Sequence, residues 1–254
     1  MSLHVETIGS GVPLVLLHGW GMHGGVWSDV AQRLAADFQV HSVDLPGNGA
    51  SAALPETNLD TLVQVLSARF GEPLNVCGWS LGGQVALRWA AREPEKVRRL
   101  ILVASTPCFA EREDWLFGMQ SEVLERFAAE LEQNHAATLR RFIALQLRGS
   151  ENERELLLQL RERLFSRGEP DMAALRGGLG ILRTADQRAE LQGVKQPTLV
   201  IGGERDKLTS PEASRYMAQA MSAARMVEVK GAAHAPFLSH PEIFVEHLKS
   251  FLHE

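Results

Sequence analysis

The chain has 254 residues, 45% hydrophobic and 22% charged, which suits one large folded core and excludes an intrinsically disordered chain. A net charge of −5 argues against a nucleic-acid partner, whose phosphates need a concentrated basic face, and two cysteines, Cys77 and Cys108, cannot frame a disulfide scaffold. No apolar run approaches the ~18 residues of a membrane span, and Met1 to Gly11 lacks a signal-peptide pattern, so a cytoplasmic protein without a membrane partner is expected.

In chain order, Pro13 to Leu17 reads as a buried strand ending at His18-Gly19. Val26 to Ala35 reads as a helix, and Val40 to Val43 as a strand ending at Asp44. After a loop marked by Gly47 and Gly49 come a helix over Leu59 to Phe70, a strand over Leu74 to Cys77, a helix over Leu81 to Ala91 and a strand over Arg99 to Val103. Short apolar strands alternating with amphipathic helices predict β-α-β units and a mostly parallel sheet covered on both faces.

The rhythm changes from Glu111 to about Arg188. Apolar residues fall at helical spacing there: Val123, Phe127 and Leu131, then Leu139, Phe142, Ile143 and Leu147, then Leu156, Leu160 and Leu164. Gly168-Glu169-Pro170 and Gly177-Gly178 are expected to punctuate this block. Strands resume at Pro197 to Ile201 and Met226 to Val229. Ser210-Pro211 should cap and open a helix over Glu212 to Met221, and a last helix is expected over Pro241 to Leu252. The expected organisation is an α/β core over 1–110 and 189–254, with 111–188 inserted as a helical lid above the C-terminal edge of the sheet, where open α/β sheets bind ligands.

The chemistry centres on Gly78-Trp79-Ser80-Leu81-Gly82, a G-x-S-x-G pattern. Its context is what makes it informative: it joins a buried strand directly to a helix. So sharp a turn forces Ser80 into strained backbone angles, and side chains at Gly78 and Gly82 would strike the neighbouring strand and helix. The serine hydroxyl then stands at a helix N-terminus, where free N–H groups favour developing negative charge.

A serine needs a base. Of nine histidines, His234 is favoured, because it sits in a loop of small residues, Gly231-Ala232-Ala233 and Ala235-Pro236, that let an imidazole reach across a site. His240 is the rival but abuts Pro241, and His18 is better placed to brace a loop. The base needs an acid to fix its tautomer. Asp206 follows the strand Pro197 to Ile201, with Glu204 as competitor, and serine, acid, histidine is the chain order of an α/β-hydrolase triad. An oxyanion would need two N–H donors: Leu81, after the nucleophile, and Trp20, after His18-Gly19, whose indole would also wall the pocket. No H-E-x-x-H, C-x-x-C, P-loop or helix-opening G-x-G-x-x-G is present, so neither a metal nor a nucleotide cofactor is expected.

These motifs resemble the α/β-hydrolase superfamily over essentially the whole chain. Narrower pieces are similar to the biotin-synthesis carboxylesterases that cleave the methyl ester of pimeloyl-acyl carrier protein. They include Val103 to Phe109 (VASTPCF), Arg141 to Gln146 (RFIALQ), Gly177 to Leu182 (GGLGIL) and Ala233 to Pro241 (AHAPFLSHP). The resemblance implies an α/β-hydrolase fold with a helical cap, no cofactor, and an ester substrate carried by acyl carrier protein. It also implies a substrate site formed by Trp20, Ser80, Leu81, His234 and the run Phe142, Ile143, Ala144, Leu145 and Gln146. Two positions depart from the usual pattern: Asn48 in the D-x-P-G-x-G loop, and Pro211, which falls five rather than four residues after Asp206.

An acyl carrier protein is acidic. Between Arg140 and Arg167 lie seven arginines (140, 141, 148, 154, 161, 163 and 167) against four glutamates, a net +3 within a chain of −5. Arg141, Arg148 and Arg154 are the expected docking residues, since guanidinium suits carboxylate and phosphate contacts. A solvated helix face explains the same charges equally well. The alternatives within the fold are a broad short-chain carboxylesterase acting on small-molecule esters, a thioesterase, or a carbon–carbon bond hydrolase. A ligand sensor that keeps the triad without turnover is the rival from another class.

Overall fold

Among the described residues seven strands form one sheet: β1 (Val5–Ile8), β2 (Val12–Leu17), β3 (Phe38–Val43), β4 (Leu74–Trp79), β5 (Val97–Val103), β6 (Thr198–Gly203) and β7 (Ala224–Val229). The computed structural model describes residues 2–150, 152–164 and 166–254, and the side chains of all of these except 163 and 164. The sheet order is β1-β3-β2-β4-β5-β6-β7. Only β1 runs antiparallel, pairing Val5 with Val43 of β3, and every other neighbouring pair is parallel. Every residue of β4 and β6 is buried, so both faces of the central sheet are covered. Sequence reading gave no strand over Val5–Ile8; three of its four residues are exposed, so no alternating pattern marks it.

Helices α1 (Ser28–Leu34), α2 (Leu59–Arg69) and α3 (Leu81–Arg92) follow β2, β3 and β4. The N-terminus of α2 closes by a reciprocal capping box between Asn58 and Thr61. The order of the sheet reverses between β2 and β4. Loops leaving the C-terminal ends of these two strands therefore diverge, and the crevice between them is where open α/β sheets place ligands.

Among the described residues four α-helices lie between β5 and β6: α4 (Ser121–Gln133), α5 (His135–Leu147), α6 (Glu153–Leu164) and α7 (Met172–Thr184). The glycine pair expected to interrupt this block does not. Gly177 and Gly178 lie inside α7, and their role is close approach. A Cβ on Gly177 would stand 2.4 Å from Thr57 Cβ, and one on Gly178 would stand 2.7 Å from Trp20 Cδ1. The helix propensity lost to glycine is the cost of seating α7 against the loops of the sheet. Three helices complete the chain: α8 (Pro211–Ala220), whose N-cap Ser210 accepts from Ala213 N, then α9 (Pro236–Ser239) and α10 (Pro241–Leu252), which packs on α1.

Candidate active site

Ser80 occupies the turn between β4 and α3 with φ 56° and ψ −118°, a left-handed conformation costly for a residue with a side chain. The two flanking glycines have different neighbours. A Cβ on Gly78 would lie 2.2 Å from Gly82 O in the first turn of α3, and one on Gly82 would lie 2.5 Å from Leu17 O at the end of β2. Strand, turn and helix are thus packed backbone to backbone. Ser80 N donates to Val103 O at 2.9 Å, and Ser105 Oγ donates to Ser80 O at 2.8 Å. Ser105, in the loop after β5, thus holds the strained turn through its hydroxyl.

His234 and Asp206 are both buried, and His234 Nδ1 donates to Asp206 Oδ2 at 2.8 Å. Asp206 is held in turn: its Oδ1 accepts from Leu208 N (2.8 Å) and Thr209 N (3.0 Å), and its Oδ2 accepts from Thr209 Oγ1 (2.7 Å). The carboxylate therefore reaches the histidine with its remaining lone pairs already filled. Pro211, one residue later than usual, opens α8 without disturbing this loop. The rival acid Glu204 lies elsewhere, accepting from Gly231 N at 2.9 Å, so it bonds the start of the histidine loop rather than the imidazole. The rival base His240 caps α10 and contacts Ser239 Oγ. Among the described residues nothing bonds His234 Nε2, although it is buried. Histidine Nδ1 as donor leaves this nitrogen as the acceptor.

The loop after β2 carries Gly19, Trp20 and Gly21. A Cβ on Gly19 would touch Trp79 and Ser80 Cβ at 3.2–3.3 Å, so the loop lies against the serine. Leu81 is the first residue of α3, where helical N–H groups lack an intrahelical acceptor. His18 braces the loop: its Nδ1 donates to Gly19 O at 2.8 Å and its Nε2 accepts from Leu45 N at 2.9 Å. Burial outweighs that backbone bond and the nearby Asp44 charge, and pushes the His18 pKa down to about 4. Asn48 holds the neighbouring turn by donating to Leu45 O and Pro46 O.

The helical block closes over this loop. Trp20 Nε1 donates to Leu175 O of α7 at 2.9 Å. The Trp20 ring meets Phe142 of α5 and Phe127 of α4 edge-on, at centroid distances of 5.1 and 5.4 Å. Gln146 O, one of the last carbonyls of α5, accepts from His234 N at 3.1 Å. Ser80 is only 7% exposed, and the void beside Trp20 and Leu81, which Ser80 does not line, measures about 10 Å³, about the least that holds one water. Larger clefts, of about 410 Å³ beside α6 and 700 Å³ near Phe70, are not lined by Ser80.

The run 142–146 does not share one face. Phe142, Ile143 and Gln146 are buried, Ala144 is half-buried and Leu145 is 37% exposed. A helix turns 100° per residue, so five consecutive residues cannot all face one pocket, and Leu145 turns away. Arg148 and Arg154 are exposed, and Arg141 is exposed but paired with Glu130 of α4. Arg167, counted with them in sequence, turns inward onto Asp44, and the side chain of Arg163 lies outside the described ones. Phe127 and Thr209 were missed as site residues. The first looked like one more apolar position of an amphipathic helix. For the second the signal was present, a hydroxyl three residues past the acid.

A model of the alpha/beta hydrolase fold family matches residues 12–241. The chain is 47% identical over 244 residues to a pimeloyl-[acyl-carrier protein] methyl ester esterase of Nitrosomonas europaea, covering 96% of this chain and 97% of that protein. It is 45% identical to the protein of the same name from Chromobacterium violaceum, covering 99% and 98%. Among solved structures, an esterase from Exiguobacterium antarcticum superposes with a TM-score of 0.91 at 23% identity, covering 99% of this chain and 96% of that one.

Proposed function

The chain belongs to the alpha/beta hydrolase fold family, and from that premise we propose that it is a serine carboxylesterase that removes the methyl ester of pimeloyl-acyl carrier protein. The observation that carries the chemistry is the buried Asp206–His234 bond, on a histidine loop tied through Trp79 to the strained strand-to-helix turn that bears Ser80. The near-full-length likeness to proteins of that name supports the substrate.

In this reading Ser80 Oγ attacks the ester carbonyl while His234 Nε2 takes its proton. Asp206 keeps the imidazole oriented and stabilises its charged form. The tetrahedral oxygen is met by the N–H groups of Trp20 and Leu81. Collapse expels methanol, which leaves with the proton held on His234. Water, activated by the same nitrogen, then frees the acid and regenerates Ser80. The wall of Trp20, Phe127 and Phe142 suits a methylene chain. Residues 111–188 act as the cap of this site, and its closed state requires the cap to shift before an ester can enter.

The partner in this reading is the acyl carrier protein that bears the chain, and the likeness to the methyl ester esterases supports it; a cytoplasmic reaction belongs to the same reading. Exposed Arg148, at the C-cap of α5, and exposed Arg154, on α6, would meet its acidic face. Incubation with methyl pimeloyl-acyl carrier protein, read by mass, tests the proposal. Loss of the methyl group with the carrier thioester intact supports it. Turnover of small esters or acyl thioesters alone would make the protein a broader esterase or thioesterase. No turnover of any ester would leave a ligand sensor.

A further inference from the structure

Of the arginines between 140 and 167 whose side chains are described, Arg167 alone is not exposed. Arg167 leaves the segment between α6 and α7 and reaches the loop after β3. Its Nη1 donates to both oxygens of Asp44, at 2.8 and 3.1 Å, and its Nη2 meets Glu6 Oε1 at 2.5 Å. Its side chain is 19% exposed and that of Asp44 is 0% exposed.

Asp44 is a junction. Its Oδ1 also accepts from Gly24 N at 2.7 Å, and its Oδ2 from Ala50 N at 2.9 Å. The next residue, Leu45, donates its N–H to His18 Nε2. The loop 18–24, which carries Trp20, is therefore braced at one end by Leu45 through His18 and at the other by Asp44 through Gly24. Among the described residues Arg167 is the only cation bonded to Asp44. Without it a buried carboxylate keeps two N–H donors and no counter-charge, a state that forces rearrangement or water entry. Of the two backbone donors, Ala50 N belongs to the loop after β3 and Gly24 N to the loop whose other end, at Gly19, lies against Ser80.

We propose that Arg167 is a positioning residue for the hydrolytic reaction: reaching down from the helical block, it neutralises Asp44 and so sets the geometry of the loop that presents Trp20 N to the tetrahedral oxyanion. This rests on the reading of Trp20 as an oxyanion donor. It separates Arg167 from Arg148 and Arg154, whose exposed guanidiniums would act on carrier docking. It also ties the block to catalysis on substrates too small to touch its outer face. Asp171 N donates to Gly47 O at 2.9 Å in the same region, so the segment is seated beside this loop independently of the arginine.

The test uses Arg167→Gln and Arg167→Lys in the full-length protein, with a phosphonate titrating competent Ser80 so that rates refer to folded sites. On p-nitrophenyl acetate, Arg167→Gln should lower kcat about 10-fold with KM changed less than about twofold, as expected for misplacement in the transition state alone. The inhibition constant of a trifluoromethyl ketone, whose serine adduct carries the oxyanion, should rise by a similar factor. Arg167→Lys keeps the charge and should recover most of both. An unchanged kcat per titrated site and unchanged ketone affinity overturns the proposal, whether or not Tm falls. So does a loss confined to KM for a carrier-bound ester, which would make Arg167 a docking residue. Failure of phosphonate labelling in the unmodified protein would instead count against Ser80 as nucleophile, so the two readings fail separately.

Discussion

The indole Nε1 of Trp79 donates to the carbonyl oxygen of His234 at 2.8 Å. The residue just before the serine therefore holds the histidine loop, while its ring packs edge-on against Phe237 at 5.0 Å. Trp79→Phe should keep the packing and lose the donor. A buried carbonyl left unpaired costs about 1–3 kcal/mol, so kcat should fall roughly 10-fold with little change in KM. An unaltered kcat would mean that the loop is held by other contacts.

Ser80→Ala should abolish phosphonate labelling and turnover together. His234→Ala and Asp206→Asn should each lower kcat by several orders of magnitude, and the double variant should be scarcely worse than the poorer single one, because the groups act as a unit. Additive losses would separate the aspartate from the histidine, and retained activity in Asp206→Asn would return Glu204 to consideration.

Gly178→Ala places a methyl group 2.7 Å from Trp20 Cδ1. Helix propensity alone would make this change stabilising, but overpacking at a seated interface costs about 1–3 kcal/mol. Calorimetry should show a lower Tm. Gly180→Ala, where nothing lies within 4 Å of the added carbon, should raise it. The opposite order would mean that α7 is not seated by its glycines.

His18 titrates at about 4 in the folded protein against 6.5 as a free side chain, chiefly through burial. The folded state thus binds fewer protons between these values. Stability from this group is complete above pH 6.5 and drains away as pH falls towards 4, by up to about 3 kcal/mol. Urea unfolding at pH 7 and pH 5 should show the loss. In His18→Gln the difference between the two pH values should shrink, and an unchanged difference would assign it to other groups.

Charge reversal of Arg148 and Arg154 should raise KM for the carrier-bound ester and spare a short free ester. Salt should act likewise, since exposed charges are screened beyond about 8 Å at physiological ionic strength. Equal losses on both substrates would mean that these arginines hold the helices together.

The central strands were legible because runs such as Leu14–Leu17 and Leu199–Ile201 are continuously apolar, and the serine turn because its glycines and flanking elements leave one geometry. The edge strand over Val5–Ile8 carried no such pattern, since neither of its faces is buried. The pair Gly177-Gly178 misled, because glycine as a breaker and glycine as a close-contact residue look identical until the partner is seen. Arg167 misled in the same way: spacing grouped it with solvent-facing arginines, and only the fold reveals Asp44 beneath it. Ser105 acts through a single hydroxyl on a backbone oxygen 25 residues away, which leaves no periodic trace, whereas Thr209 sits three residues past the acid that it holds.

Trp20 and His234 each donate to a main-chain oxygen of the helical block, Leu175 O and Gln146 O. A carbonyl is the same whatever side chain its residue bears. Most substitutions along α5 and α7 can therefore reshape the wall met by a substrate while both acceptors stay where they are. Specificity can drift here without dismantling the machinery beneath it. A chimera that imports these helices from another hydrolase would have to match two backbone positions and keep α7 bare at Gly178, and a helix shifted by a single residue would loosen the contact that it supplies.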